Sequence, residues 1–224
     1  MSKFQNYARK TQDLSLAVYK KSIRGLTHNL LYPCQLGIIF FDGESHSLFE
    51  KLKIEINTIF DSYFSKIKKN IMQNPFSIEK RVISRKISKQ VLLYPTNQFY
   101  EKISELKVRA AFEIGVGITD LPIYSSSANN LVFLYGEAHL NHNCAIVSNY
   151  NLKYELNSSS NTLQRRVIKE VIHEVGHIIL GPSHCRNKLC VMTFSKSVAD
   201  IDKKASDFCK ECKCKLEEII EILN

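Results

Sequence analysis

The residues best suited to chemistry are concentrated in one run, VIHEVGHIILGPSHCRNKLCVM, from Val171 to Met192. His173 and His177 stand four positions apart. On a helix, four residues leave the two imidazoles about 40° apart around the axis and about 6 Å apart along it, on one face. Two ligands of a single tetrahedral zinc need that separation. Glu174 lies about 60° around the helix from His177, where it can approach a zinc-activated water without binding the metal. Zinc lowers the pKa of such a water to about 7. A neighbouring carboxylate can then take its proton and pass it to the amine that leaves a cleaved peptide bond.

A third ligand is available just downstream, in Gly181-Pro182-Ser183-His184. Glycine ends a helix by adopting positive φ, and proline bars its continuation. The chain turns back and His184 can reach the same metal. Cys185-x4-Cys190 and Cys209-x2-Cys212 then form two paired-ligand units. Four thiolates so spaced fit a closed tetrahedral zinc site, structural because closure leaves no position for substrate. Cys214 offers Cys212-x-Cys214 as an alternative pair and is set aside because C-x2-C is the commoner spacing. Cys34 and Cys144 read as buried small apolar residues, and His139 and His142 as surface loop histidines.

H-E-x-x-H at 173–177, a helix-ending glycine, a third histidine and a later methionine together resemble the metzincin zinc peptidases. His184-Cys185, Cys190-x-Met192 and Cys209-x2-Cys212 narrow the resemblance to the archaemetzincins. The likeness is close over Ile172 to Cys212. It extends to Gly136-Glu137-Ala138 and Ala145 to Ser148, which are similar to strand segments of that family. The resemblance implies two zinc ions per chain. His173, His177 and His184 would hold the catalytic one, with Glu174 as general base and acid. Cys185, Cys190, Cys209 and Cys212 would hold the structural one. It also implies Met192 as an apolar base beneath the catalytic metal, and an edge strand, placed at Leu131 to Ala138, that holds an extended peptide by strand addition. The implied activity is a zinc-dependent peptidase, in one form an aminopeptidase acting on short peptides. A zinc-stabilised, non-catalytic binding or structural protein with the same fold is the alternative.

One departure stands out. The family places the glycine three residues, and the third histidine six, after the second histidine. Here Gly181 comes four and His184 seven after His177. Leu180 is in effect added before the turn. On a regular helix this moves the exit by about 100° and about 1.5 Å, which a bulged last turn would absorb. Ser183 takes the family's third-histidine position but is a poor zinc ligand. A thermolysin-like arrangement would instead draw its third ligand from a downstream acid, for which Asp200 and Asp202 are placed.

The surrounding chain reads as alternating strands and helices. Gln35–Phe41 is a buried strand, and from Ser45 a helix carries Phe49, Leu52, Ile56, Phe60 and Phe64 on one face. Residues 78–89 alternate as an exposed strand, and Val91–Pro95 is a short apolar segment. Thr96–Leu106 is a helix. Ala110–Thr119 is a buried strand loosened by Gly115 and Gly117. Leu131–Tyr135 and Cys144–Ser148 form an antiparallel pair linked by GEAHLNHN. Asn157–Asn161 is a loop, and from Thr162 the positions Leu163, Val167, Val171, Val175 and Ile178 mark a long helix. This pattern predicts an α/β (α+β) metzincin-like zincin fold. Its parts are a mixed twisted sheet with an antiparallel edge strand, the long active-site helix, and a small zinc-clamped C-terminal subdomain. Residues 1–34 read as a basic extension and 35–224 as one catalytic domain, divided into 35–180 and 181–224.

Composition bounds the alternatives. The chain has 224 residues, 44% hydrophobic and 24% charged, enough for a sizeable core. The net charge of +9 is spread rather than gathered in a nucleic-acid module. No run is long and apolar enough for a membrane span, and the start lacks a secretory signal. Seven cysteines in that setting point to a reducing, cytoplasmic location and to metal rather than disulfides. The expected partner is a peptide or protein substrate met by a monomer, with no nucleic acid and no membrane.

Overall fold

The computed structural model of the protein describes residues 32–223, except 42, 44, 75–80, 85–89, 129–132 and 154–159. The basic N-terminal stretch and most of the Asn157–Asn161 loop fall outside the described residues.

Strand β1 (Cys34–Phe41) is apolar from Leu36 onward because both its faces are covered there. Leu36, Ile38 and Phe40 enter one core, while Ile39 and Phe41 enter another. Helix α1 (His46–Phe60) starts where the Ser45 hydroxyl accepts the Leu48 amide at 3.3 Å. It buries Phe49, Leu52, Ile56 and Phe60. Phe64 is not on that helix. Asp61 adopts φ 47° and ends it, and Phe64 opens strand β2 (Phe64–Met72), parallel to β1. Lys66, Lys68 and Lys69 hid this strand in the sequence. They suit it because it is the outer edge of the sheet, where lysines discourage further strand pairing.

Strands β3 (Arg81–Ser84) and β4 (Gln90–Pro95) are antiparallel, and β6 (Ile123–Tyr124) joins β4 in a small second sheet. Between them, helix α2 (Thr96–Ala110) runs four residues past Leu106 before Ala111 closes it at φ 51°, so β5 is Ile114–Thr119. Its glycines do not loosen it. A Cβ at Gly115 would collide with Ile103 of α2, so the missing side chain lets helix and sheet approach.

The presumed link GEAHLNHN is itself half strand. Gly136–His139 forms β7, paired antiparallel with β8 (Cys144–Ser148), and the reversal takes only a 3-10 turn at Leu140–His142 with Asn143 at φ 49°. Ladder hydrogen bonds outweigh the polar composition there. The main sheet has order β2-β1-β5-β8-β7, parallel except at the β7 edge, which is the mixed sheet with an antiparallel edge that the pattern predicts.

After α3 (Asn149–Leu152) comes α4 (Ser160–Leu180). Every residue from Glu170 to Ile179 is buried, so this stretch runs through the interior rather than along a surface. Its core contains the β1 residues and α1 together with Cys190, Val191, Met192, Ile201, Phe208, Leu216 and Ile219. The last four belong to or adjoin α5 (Val198–Lys203) and α6 (Lys210–Leu223). No described helix is long and apolar enough to cross a membrane.

Candidate active site

The buried part of α4 carries the first cluster. The ring donors of His173, His177 and His184 lie within 4.8 Å of one another. His173 Nδ1 is 2.8 Å from the Val191 carbonyl, and His177 Nδ1 is 3.0 Å from the Gly181 carbonyl. A ring nitrogen facing a carbonyl must carry the proton, so each Nε2 presents a lone pair. Burial lowers the pKa of His173 well below the ordinary value, and that of His177 too, which keeps both neutral. The two Nε2 atoms are nevertheless 3.1 Å apart. Two lone pairs that close repel each other unless a cation sits beside them.

His184 completes the group despite the added Leu180. The expected bulge is not there. The Gly181 amide donates to the His177 carbonyl at 3.1 Å, so regular α-helical bonding runs to the end. The turn falls instead on Gly181, at φ 98°. His184 then packs with its ring centroid 4.8 Å from that of His177 and 5.3 Å from that of His173. Phe194 meets its other side edge-on at 5.0 Å. Ser183 is exposed. Asp202 is held by Arg166 at 2.7 and 2.8 Å, and Asp200 caps α5 through Ser197, so neither acid joins the histidines.

Glu174 lies in the same cleft, buried, with its carboxylate against Gly136 at the start of β7. A Cβ on Gly136 would come within 2.6 Å of Glu174 Oε1, so only glycine leaves that room. Burial first, then the charge of Glu170, pushes the Glu174 carboxyl well above the usual range, while Lys204 works the other way. The cleft measures about 1120 Å³. It lies between β7, α4 and the segment Phe194–Ala199. His139 and His142 do not line it. His139 packs edge-on to Tyr100 instead, at 5.1 Å.

The second cluster begins one residue after His184. The sulfurs of Cys185, Cys190, Cys209 and Cys212 lie within 4.8 Å of one another. Cys185 and Cys209 are 3.6 Å apart, and Cys190 and Cys212 3.7 Å. Burial acts against ionising Cys209, yet the Cys212 amide and the neighbouring thiols bring it down to about 7. Cys214 is exposed outside the cluster, and Cys34 and Cys144 are buried apart from it. Met192 is buried under α4, where Gly176 leaves space for its sulfur. The Met192 carbonyl accepts the Cys185 amide at 2.9 Å, tying the cysteine cluster to the residue beneath α4.

The family model for peptidase family M54 matches residues 36–218. The chain belongs to peptidase family M54. An archaemetzincin of Pyrococcus abyssi is 30% identical over 184 residues, 81% of this chain and 87% of that protein. An archaemetzincin of Methanocaldococcus jannaschii is 43% identical over 109 residues, 47% of this chain and 59% of the relative. The crystal structure of an archaemetzincin from Archaeoglobus fulgidus, complexed with malonate, matches with TM-score 0.58 and 28% identity over 81% of this chain and 99% of that one. The archaemetzincin from Methanopyrus kandleri shares the fold at TM-score 0.65 and 24% identity, over 84% of this chain and 96% of the other.

Zinc is the metal of this metallopeptidase family, and both clusters of the M54 chain fit it. A tetrahedral zinc with Zn–S of about 2.3 Å sets its sulfurs about 3.8 Å apart, and Zn–N of about 2.05 Å sets its nitrogens about 3.3 Å apart. The paired sulfurs and the His173–His177 nitrogens lie within a few tenths of an ångström of those values. Sequence reasoning missed Gly136 as a contact of Glu174, and it missed Glu170 and Lys204. Glu170 carried a signal, as an acid at i−4 from Glu174 on the histidine face. Lys204 carried none.

Proposed function

We propose that this protein is a zinc-dependent peptidase with two zinc sites. His173, His177 and His184 hold the catalytic ion, and Cys185, Cys190, Cys209 and Cys212 hold a structural one. Bound zinc supplies Lewis acidity, which activates water and polarises a peptide carbonyl. The rest of the work falls to side chains. Glu174 takes a proton from water and returns it to the leaving amine, and its raised pKa suits it to carry that proton between the two steps. The Val191 and Gly181 carbonyls fix the tautomers of His173 and His177. Strand β7, an outer strand of the sheet among the described residues, offers backbone groups to an extended peptide or protein segment.

The observation that carries this reading is the buried Glu174 carboxylate, which abuts the edge strand at Gly136 and shares one cleft with the three histidines. Cleavage of a peptide library by the zinc-loaded protein, lost in Glu174→Gln with zinc content unchanged, is the expected result. Turnover that survives Glu174→Gln overturns the role of Glu174. Comparing free with N-acetylated peptides tests the aminopeptidase form, which requires the free amine.

The non-catalytic alternative draws its support from Leu180, the departure from the family spacing. It predicts bound zinc without turnover. Two zinc ions per chain, falling to one in His173→Ala with the fold kept, support the two-site reading.

A further inference from the structure

Glu170 and Lys204 form an ion pair at 2.8 Å, with side chains 5% and 0% exposed. Such a pair is a weak stabiliser, because desolvation offsets the attraction and apolar residues of similar size often serve as well. Its position suggests another use. Glu170 lines the cleft, one helical turn before Glu174 on the same face of α4. Lys204 does not line the cleft, so a ligand there meets the Glu170 carboxylate with the ammonium enclosed behind it.

Two contacts fix where along the cleft this carboxylate lies. Gly136 of β7 abuts Glu174. The carbonyl of Tyr135, one residue earlier, accepts the Ser148 amide at 2.8 Å, and the carbonyl of Leu152, at the end of the α3 turn that follows Ser148, accepts Arg166 at 2.8 Å near the start of α4. Strand and helix therefore run the same way along the cleft. A peptide added antiparallel to β7 runs opposite to both, which brings the residue after the scissile bond over Glu170. A carboxylate can accept about four hydrogen bonds, so pairing with Lys204 leaves it acceptor capacity. A cationic side chain that reaches it gains a charge-assisted hydrogen bond, whereas an apolar one desolvates the acceptor capacity that Lys204 leaves unused and gives it no second partner.

We propose that Glu170, held by Lys204, makes the cleft select a lysine or arginine side chain immediately C-terminal to the cleaved bond. This rests on the peptidase reading above and adds a substrate class to it.

The test uses blocked peptides identical except for Lys, Arg, Leu or Glu at that position, offered to the zinc-loaded protein. The expected kcat/KM favours Lys and Arg over Leu by about tenfold or more, with Glu the poorest. Glu170→Gln should remove the preference. Because that change strands the Lys204 charge and can impair folding, the paired Glu170→Leu, Lys204→Met protein serves as the second variant, and it should favour Leu. A parent preference for Leu, or ratios unchanged in a folded variant, overturns the proposal. Calorimetric binding of the same peptides to Glu174→Gln reads the subsite without turnover. Tighter binding of the Lys peptide, lost when Glu170 is also replaced, sustains the subsite even where the parent cleaves nothing and the peptidase reading fails. Equal affinities for the Lys and Leu peptides overturn the subsite even where cleavage is normal.

Discussion

At the scale of single residues, Glu174 and Gly136 act as one device. An added methyl at Gly136 would sit 2.6 Å from Glu174 Oε1 and 2.8 Å from its Cγ, and must displace the carboxylate. Misplacing a reacting group by about 1 Å costs on the order of a hundredfold. Gly136→Ala is therefore expected to lower kcat by about that factor while elemental analysis finds the zinc content unchanged; an unaltered kcat would sink the idea. The buried titratable groups also set how the metal-free protein responds to pH. Burial lowers His173 and His177, so below their unfolded value of about 6.5 the unfolded chain takes up protons that the folded one refuses, and stability falls as pH drops. Glu174 acts in the opposite sense. Its carboxyl is raised, so above about 4.3 the unfolded chain releases a proton that the folded chain keeps, and stability falls as pH rises. Glu174→Gln removes the second contribution alone. At pH 8 the metal-free Glu174→Gln protein should melt at a higher temperature than the metal-free parent.

At the scale of elements, the end of α4 decides whether three histidines meet. Helical bonding continues to Gly181, and the chain leaves through a conformation with φ 98° that side chains resist. Gly181→Ala should cost about 1 kcal/mol or more in a urea melt. Chelator competition should show weaker zinc binding at the histidine cluster, because His184 is delivered from that turn. A variant with parental zinc affinity would place the control of His184 elsewhere. The sheet edges form a second contrast. β2 and β7 are both outer strands, but β2 carries Lys66, Lys68 and Lys69, whereas β7 opens onto the cleft. One edge is guarded and the other left available.

At the scale of the whole molecule, the cysteine cluster ties the loop after α4 to the start of α6, and the Glu170–Lys204 pair attaches the C-terminal segment to α4 itself. His184 and Cys185 are neighbours, and the Cys185 amide is tied to the Met192 carbonyl beneath the helix. Cys190→Ser should therefore lose one zinc, lower the melting temperature, and weaken the retention of the second zinc. A melting temperature equal to the parent's would show that the cluster does not hold the fold. Lys204→Met leaves a buried carboxylate without its partner and should cost about 3–5 kcal/mol by denaturant titration.

What the sequence determined by itself was local. The four-residue step from His173 to His177, the acid beside it, the glycine that stops the helix and the two cysteine pairs depend on helical period and short spacing. A chain of this kind cannot easily violate those rules. The parallel core strands were legible for the same reason, since a run buried on both faces is apolar, as β1 is from Leu36 to Phe41. The strand β2 was not, because an edge strand tolerates lysines, and β7 was marked as strand only by the family resemblance, since its polar residues by themselves resemble a turn. Tertiary structure alone decided the remaining contacts: Gly136 against Glu174, the Val191 carbonyl on His173, Lys204 on Glu170, and the delivery of His184 past an added residue. Each joins residues distant in the chain or depends on a backbone angle, and neither composition nor period records which distant atoms come to share a buried space.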